Sequence, residues 1–153
     1  MSGILLLRQK GKNDLSFLGV FFENMERIIH IYDSEKDRST DVSALLPTAL
    51  ILKTPHEIAL TDVYWTQTQA NKQYAEGGLR VNTDLIACDV IDGDHLAPLL
   101  SIVRAAQVVK DPVYKTVTRP YIDRIRIWIT DAQGAPPKVL FNNLFFTVQI
   151  REK

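Results

Sequence analysis

The sequence has one cysteine and no excess of charge of either sign. Its 153 residues include 18 basic and 18 acidic side chains, so the formal net charge is zero. A domain that neutralises many phosphates usually has a clear basic excess, so we expect no direct nucleic-acid binding. A lone thiol, Cys88, forms no internal disulfide, which argues against a disulfide-stapled secreted module and favours folding in a reducing compartment. We expect Cys88 to be a small buried apolar side chain.

Long hydrophobic runs are also missing from the sequence. No stretch approaches the about 20 apolar residues of a membrane-spanning helix, so no membrane span is expected. The apolar run at residues 4–7 is too short for a signal peptide and has no basic segment before it. Hydrophobic residues nevertheless make up 46% of the chain, which is an ordinary share for a globular protein. The length fits a single domain that covers residues 1–153.

The histidines, glycines and serines form no pattern that predicts catalysis. His30, His56 and His95 are far apart in sequence, so neither a zinc site nor the clustered histidines of a cupin-type metal enzyme is expected. His30 alternates within a strand pattern, and we expect it to be exposed or hydrogen-bonded. No phosphate-binding glycine loop and no G-x-S-x-G motif is present. We therefore predict no catalytic residue, no metal ligand, no cofactor and no enzymatic activity.

Four aspartates lie close together in the sequence, at Asp84, Asp89, Asp92 and Asp94. Carboxylates in a loop are typical ligands of Ca²⁺, but this spacing does not fit an EF-hand loop. We interpret the group as a solvated turn.

Short apolar runs with strand-like alternation fill most of the chain. The clearest are residues 124–130 and 144–151, where every second residue is apolar, as in a half-buried antiparallel strand. Further strands are predicted at residues 4–8, 17–23, 26–32, 50–53, 57–66, 79–90, 99–106 and 113–118, with polar loops at 33–41 and 67–78. No long amphipathic helix is visible, and the connections are too short for β-α-β crossovers. The pattern predicts an all-β fold, a single jelly roll in which about eight strands form an antiparallel β-sandwich.

Large aromatic side chains fall on the outward sides of the last two strands. Trp128 lies on the same side of its strand as Arg124 and Arg126, and Phe145 lies on the outer side of the final strand. If these strands pair, one outer face combines aromatic and arginine side chains, which protein interfaces favour. The alternative is that a second sheet or a loop covers this face.

A second aromatic cluster lies in the middle of the chain. Tyr64 and Trp65 end a predicted strand, and Tyr74 lies in the polar loop that follows. These residues indicate either a contact surface or a place where sugars stack.

Several short stretches follow one another in the same order as in one group of viral proteins. Residues 83–103 contain TDLI, GDH and APLLSIV, residues 111–117 are DPVYKTV, and residues 122–151 contain IDRIRI, DAQG and the final strand. LP at 46–47 and EIAL at 57–60 come before them. This order resembles the single jelly-roll penton or minor-capsid proteins of Polinton (Maverick) elements and adintovirus-like double-stranded DNA viruses. Two departures are a shorter start before residue 41 and His56 where the family has tryptophan.

The resemblance implies a structural protein of the virion that is made in the host cytoplasm or nucleus. Such a penton or minor-capsid subunit assembles as a homo-oligomer, a ring of five, and contacts the major capsid protein. Cyclic symmetry requires two different, complementary patches on each subunit. We expect one patch on the Trp128/Phe145 face or in the loop at 67–78. The alternative is a receptor- or carbohydrate-binding β-sandwich module, such as a trimeric head.

Overall fold

The computed structural model describes residues 3–5, 15–23, 26–33, 40–67, 78–104, 107–137 and 141–153. Within these ranges the regular structure consists of β-strands: β1 Gly3–Leu5, β2 Leu15–Glu23, β3 Glu26–Asp33, β4 Asp41–Ile51, β5 His56–Gln67, β6 Leu79–Thr83, β7 Val90–Asp92, β8 His95–Ala97, β9 Leu99–Val103, β10 Gln107–Val108, β11 Lys115–Thr116, β12 Tyr121–Thr130 and β13 Phe141–Glu152. The described residues include no helix that is long and apolar enough to cross a membrane.

Two antiparallel sheets pack face to face. Sheet A has the order β1-β2-β3-β13-β5-β10, with β11 also paired to β5, and sheet B has the order β4-β12-β6-β9. Eight of these strands form the two facing four-stranded arrays, β3-β13-β5-β10 in sheet A and β4-β12-β6-β9 in sheet B. If these eight are counted from 1 to 8 along the chain, the two orders are 1-8-3-6 and 2-7-4-5, which is the strand order of a jelly roll. The predicted all-β single jelly roll is confirmed.

The core between the sheets follows from strand alternation. On β12 the residues Ile125, Ile127 and Ile129 are buried, and on β13 every second residue from Leu144 to Ile150 is buried. Residues between them, among them Arg126 and Gln149, face outward. A slip of one residue would exchange the two faces, so this alternation fixes the register of both strands. Buried residues of β3, β4, β5, β6 and β9 complete the same cluster.

β4 begins nine residues before the strand predicted at 50–53. It pairs with β12 from Asp41, opposite Trp128, to Ile51, opposite Tyr121, and the ladder is irregular between Leu45 and Leu50. Pro47 lies in this irregular stretch. Proline is compatible with such a position because β4 is an edge strand and the ladder there needs no donor from residue 47.

The predicted strand at 79–90 is shorter in the structure. β6 ends at Thr83, a turn follows, and β7 and β8 form a separate hairpin around Gly93, whose φ is +66°. Cys88 lies in the turn and is exposed, so the expectation of a buried thiol is wrong. The strands predicted at 99–106 and 113–118 are also shorter, as β9 and β11. Most of the two predicted loops, at 34–39 and 68–77, lies outside the described residues.

Candidate interaction surfaces

Trp128 and Phe145 lie on opposite outer faces of the sandwich. Trp128 belongs to β12 in sheet B, and Phe145 belongs to β13 in sheet A. Their chain neighbours Ile127 and Phe146 are both buried between the sheets. The expectation of one face shared by these strands is wrong, because the chain changes sheets between Thr130 and Phe141 instead of turning back within one sheet.

On the outer face of sheet B, Arg126 is fixed by its own neighbours. Its Nε and Nη2 donate to the two carboxylate oxygens of Asp41 at 2.9 and 2.6 Å, a bidentate geometry. These hydrogen bonds raise the pKa of Arg126. Its guanidinium lies 4.5 Å from the centroid of the Trp128 ring, within the range of a cation–π contact. Two of the predicted interface residues therefore contact each other, while Arg124 is exposed.

The four aspartates have different environments. Asp84 accepts hydrogen bonds from Arg119 Nη1 and from the backbone nitrogen of Arg126, both at 3.0 Å. Asp92 accepts from Arg80 Nε at 2.9 Å, and both of these side chains are largely buried. The expected solvated turn is therefore wrong for Asp92, because the hairpin folds back onto β6. Within the described ranges no group of three or more His, Cys, Asp or Glu side chains is placed to hold a metal ion.

The polar side of the β7–β8 hairpin anchors it to the end of sheet B. Asp92 binds Arg80 of β6, and Asp92 lies opposite His95 in the hairpin. His95 packs on the turn after β12, where a Cβ built on Gly134 would lie 2.8 Å from His95 Nε2. Gly134 also has a φ of +80°. The backbone conformation therefore favours glycine at position 134, and a larger residue there would also displace the His95 imidazole.

The other side of the hairpin carries two apolar side chains in solvent. Ile91 and Leu96 lie directly opposite each other and are 76% and 59% exposed. Asp89 and Asp94 flank them and are also exposed. We call these four residues the hairpin patch.

A second exposed apolar pair lies where β4 ends and β12 begins. Ile51 and Tyr121 are opposite each other in the ladder and are 63% and 55% exposed. They face outward because the adjacent pair, Leu50 and Ile122, is buried. Lys53 follows the end of β4, Arg124 lies on β12 three residues after Tyr121, and both are exposed. We call Ile51, Tyr121, Lys53 and Arg124 the β4–β12 patch.

Tyr64 and Trp65 point to opposite sides of β5. Trp65 packs against the hydrophobic core, whereas Tyr64 is 53% exposed on the outer face of sheet A. Tyr64 lies opposite Phe145 in the ladder, and Phe145 stacks on His30 with 5.7 Å between ring centroids. The structure thus joins Tyr64 to Phe145, which the sequence placed in separate clusters. Tyr74 lies outside the described residues.

The other half of the same outer face is occupied by Tyr114. Its ring centroid lies 3.4 Å from the Arg151 guanidinium, and its hydroxyl donates to Gln149 Oε1. Arg151 Nε in turn donates to Glu57 at 2.8 Å. These side chains satisfy one another, so the aromatic group around Tyr64 and Phe145 is the better contact surface on sheet A.

His30 is hydrogen-bonded, as expected from the sequence. Its Nδ1 lies 3.0 Å from the Thr147 hydroxyl. Burial lowers the pKa of His30 below its ordinary value, and the Asp62 carboxylate opposes this shift in part. The folded protein therefore favours the neutral imidazole.

Acidification is expected to destabilise the protein through His30. An unfolded histidine titrates at about pH 6.5, so between that value and the lower native pKa the unfolded chain binds more protons than the folded protein. The contribution of His30 to the free energy of unfolding is complete above the pKa of the unfolded chain. It is lost as the pH falls through the native pKa. Urea denaturation at pH 7.5 and 5.5 should show a larger loss of unfolding free energy in the wild type than in His30→Gln. Equal losses would contradict this assignment.

The described residues thus provide three candidate contact surfaces: the hairpin patch, the β4–β12 patch, and the aromatic group of Tyr64, Phe145 and His30. Comparisons of this chain with family models, with curated proteins and with solved structures gave no match.

Proposed function

We propose that this protein is a structural subunit of a virion, a penton or minor-capsid protein that forms a pentameric ring and contacts the major capsid protein. The observation that carries the proposal is the jelly-roll strand order of the two sheets, an architecture that viral capsid domains use. The ordered sequence stretches at 83–103, 111–117 and 122–151 support the same assignment. The protein acts by assembly and carries out no reaction.

Two features of the surface fit a ring-forming subunit. A cyclic ring needs two unlike patches on each subunit, because each copy contacts its two neighbours through different surfaces. The hairpin patch and the β4–β12 patch are unlike in residues and in charge, and each exposes a pair of large apolar side chains. Exposed apolar groups in contiguous positions often mark protein–protein contacts.

The solution mass of the purified protein tests the proposal. Light scattering over a range of concentrations should give the mass of five chains, and negative-stain images should show closed rings. A stable trimer would favour a receptor-binding head instead. A protein that stays monomeric at every concentration would contradict a ring-forming subunit.

A carbohydrate-binding module is the second candidate, and one observation favours it. Tyr64 exposes about half of its surface beside Phe145, and Asp62 lies two ladder positions further along β5, on the same outer side. Flat aromatic rings stack on sugar faces, while a carboxylate accepts hydrogen bonds from hydroxyls. The aromatic residue Trp65 does not contribute, because it packs inward.

Glycan binding by this surface is tested with neutral oligosaccharides in an NMR titration. The carbohydrate candidate requires binding that Tyr64→Ala weakens at least tenfold. Tyr121→Ala is the matched control, because Tyr121 is equally exposed but lies on the other sheet. A wild-type protein that binds no member of the panel would rule this candidate out.

A further inference from the structure

We infer that the hairpin patch of one copy docks head to tail onto the β4–β12 patch of the next copy. This inference rests on the proposed ring-forming function and names the two surfaces that would form the ring contact. The occupant of each patch is therefore a second copy of this chain.

The apolar residues of the two patches are suited to each other. The apolar part of each patch is a pair of cross-strand neighbours, Ile91 with Leu96 and Ile51 with Tyr121. Pairs of this kind place two side chains side by side at one level of a ladder. Removal of their apolar surface from water favours association, and Tyr121 brings the aromatic type that is enriched at the centre of interfaces.

The charges around the two apolar pairs are complementary. The hairpin patch carries Asp89 and Asp94; Asp94 is 98% exposed, and its Oδ1 lies 3.4 Å from Nδ1 of His95 in the same chain. The β4–β12 patch carries Lys53 and Arg124, which are both exposed. Asp123, the acidic residue next to Arg124 in the sequence, lies 3.9 Å from Arg119 of its own chain. Opposite charges at the rim of an apolar contact orient the partners and exclude the reverse arrangement of like patches.

The two patches are also far enough apart for one copy to contact two neighbours. The hairpin is bound to Arg80, which lies opposite Thr130 at the end of β12, whereas Tyr121 is at the beginning of β12. A strand of this length spans about 30 Å. One copy can therefore use both patches at once, one toward each neighbour. A two-fold dimer would instead bring identical patches together.

Both patches are rigid before any contact forms. The ion pair of Arg80 with Asp92 and the packing of His95 on Gly134 hold the hairpin, and the ladder between β4 and β12 holds the other pair. Little conformational freedom is then lost on association, which favours affinity. Trp128, between the two patches on β12, is already covered by the Arg126 guanidinium.

Disulfide cross-linking between two different variants tests the contact directly. One chain carries Leu96→Cys and the other carries Tyr121→Cys, both in a Cys88→Ser background. On mild oxidation, the mixture should form a disulfide-linked dimer at least tenfold faster than either variant alone. Equal rates, or a disulfide only between identical variants, would overturn the head-to-tail contact.

Charge reversal gives a second, independent test by sedimentation velocity. Asp89→Lys with Asp94→Lys should weaken association at least tenfold, and Lys53→Glu with Arg124→Glu should do the same. A chain with all four reversals should associate again, because its two patches are complementary once more. Lys110→Glu, at an exposed position outside both patches, is the control, and circular dichroism checks that each variant folds. Four reversals that leave the chain monomeric would overturn the proposed charge pairing.

The outcomes separate this inference from the proposed function. Wild-type rings without the disulfide between positions 96 and 121 would overturn the inference and leave the ring-forming function supported. A disulfide in open chains that never close would support the contact and contradict the pentameric ring. A monomeric wild type without the disulfide would overturn both.

Discussion

Phe146→Ala is expected to lower the free energy of unfolding by about 4 kcal/mol, the loss typical of a fully buried phenylalanine. Phe146 is among the largest side chains without solvent exposure. It lies on β13, which pairs with β3 on one side and β5 on the other, and it faces sheet B across the core. Truncation removes apolar contacts and leaves a cavity that paired strands on both sides cannot close.

Phe145→Ala provides a matched control for this prediction. Phe145 is the preceding residue of the same strand, has the same side chain and faces outward, where it stacks on His30. The loss of that partly exposed contact should cost about 1 kcal/mol, because aromatic pairs contribute about that much beyond burial. Urea denaturation of both variants measures the difference. Losses of similar size would show that the two faces of β13 are assigned the wrong way round.

Arg80→Met is expected to cost about 3 kcal/mol, because it leaves the buried Asp92 carboxylate without its cation. The two side chains are only 12% and 10% exposed, and Nε lies 2.9 Å from the carboxylate. The methionine side chain has a similar length, so the change removes charge and hydrogen bonds more than volume. Chemical denaturation should show a lower midpoint with an unchanged slope.

Two further variants test whether the loss of stability in Arg80→Met comes from the burial of the ion pair. Arg80→Met combined with Asp92→Leu should return to within about 1 kcal/mol of the wild type, since removal of both partners of a buried pair is often neutral. Arg126→Met breaks the ion pair with Asp41, whose side chains are 48% and 47% exposed, and should cost about 1 kcal/mol or less. A double variant as unstable as Arg80→Met would show that Asp92 is not the source of the loss.

The strand alternation in the sequence was sufficient to predict the fold class. In β12 and β13 every second residue is branched or aromatic, and the structure buries those residues. β4 was harder to predict because Pro47 interrupts its alternation and because a ladder partner, β12, compensates for that interruption. Asp92 was misinterpreted for a related reason. A carboxylate in a polar segment is normally solvated, and only the fold brings Arg80 to within hydrogen-bonding distance.

The contact surfaces were even harder to predict from the sequence, because their residues come together only in the tertiary structure. Ile51 and Tyr121 are distant in sequence, and Ile91 and Leu96 lie in what looked like a polar turn, so neither pair is visible before the strands are paired. Tyr64 and Trp65 were grouped in one cluster, whereas neighbouring residues of a strand point to opposite sides. Which of the two faces the core depends on the bulged register of β5 against β13.

The position of β13 in sheet A determines when the protein can fold during its synthesis. β13 pairs with both β3 and β5, yet it leaves the ribosome after every other strand that the structure describes. Until then, the edges of β3 and β5 that later pair with β13 are unpaired in the nascent chain. Such edges pair readily with other chains. Folding must therefore be completed late and through long-range contacts, which is slow. High translation rates would favour aggregation of unfinished chains, so protection by a chaperone during synthesis would improve the yield of folded subunits.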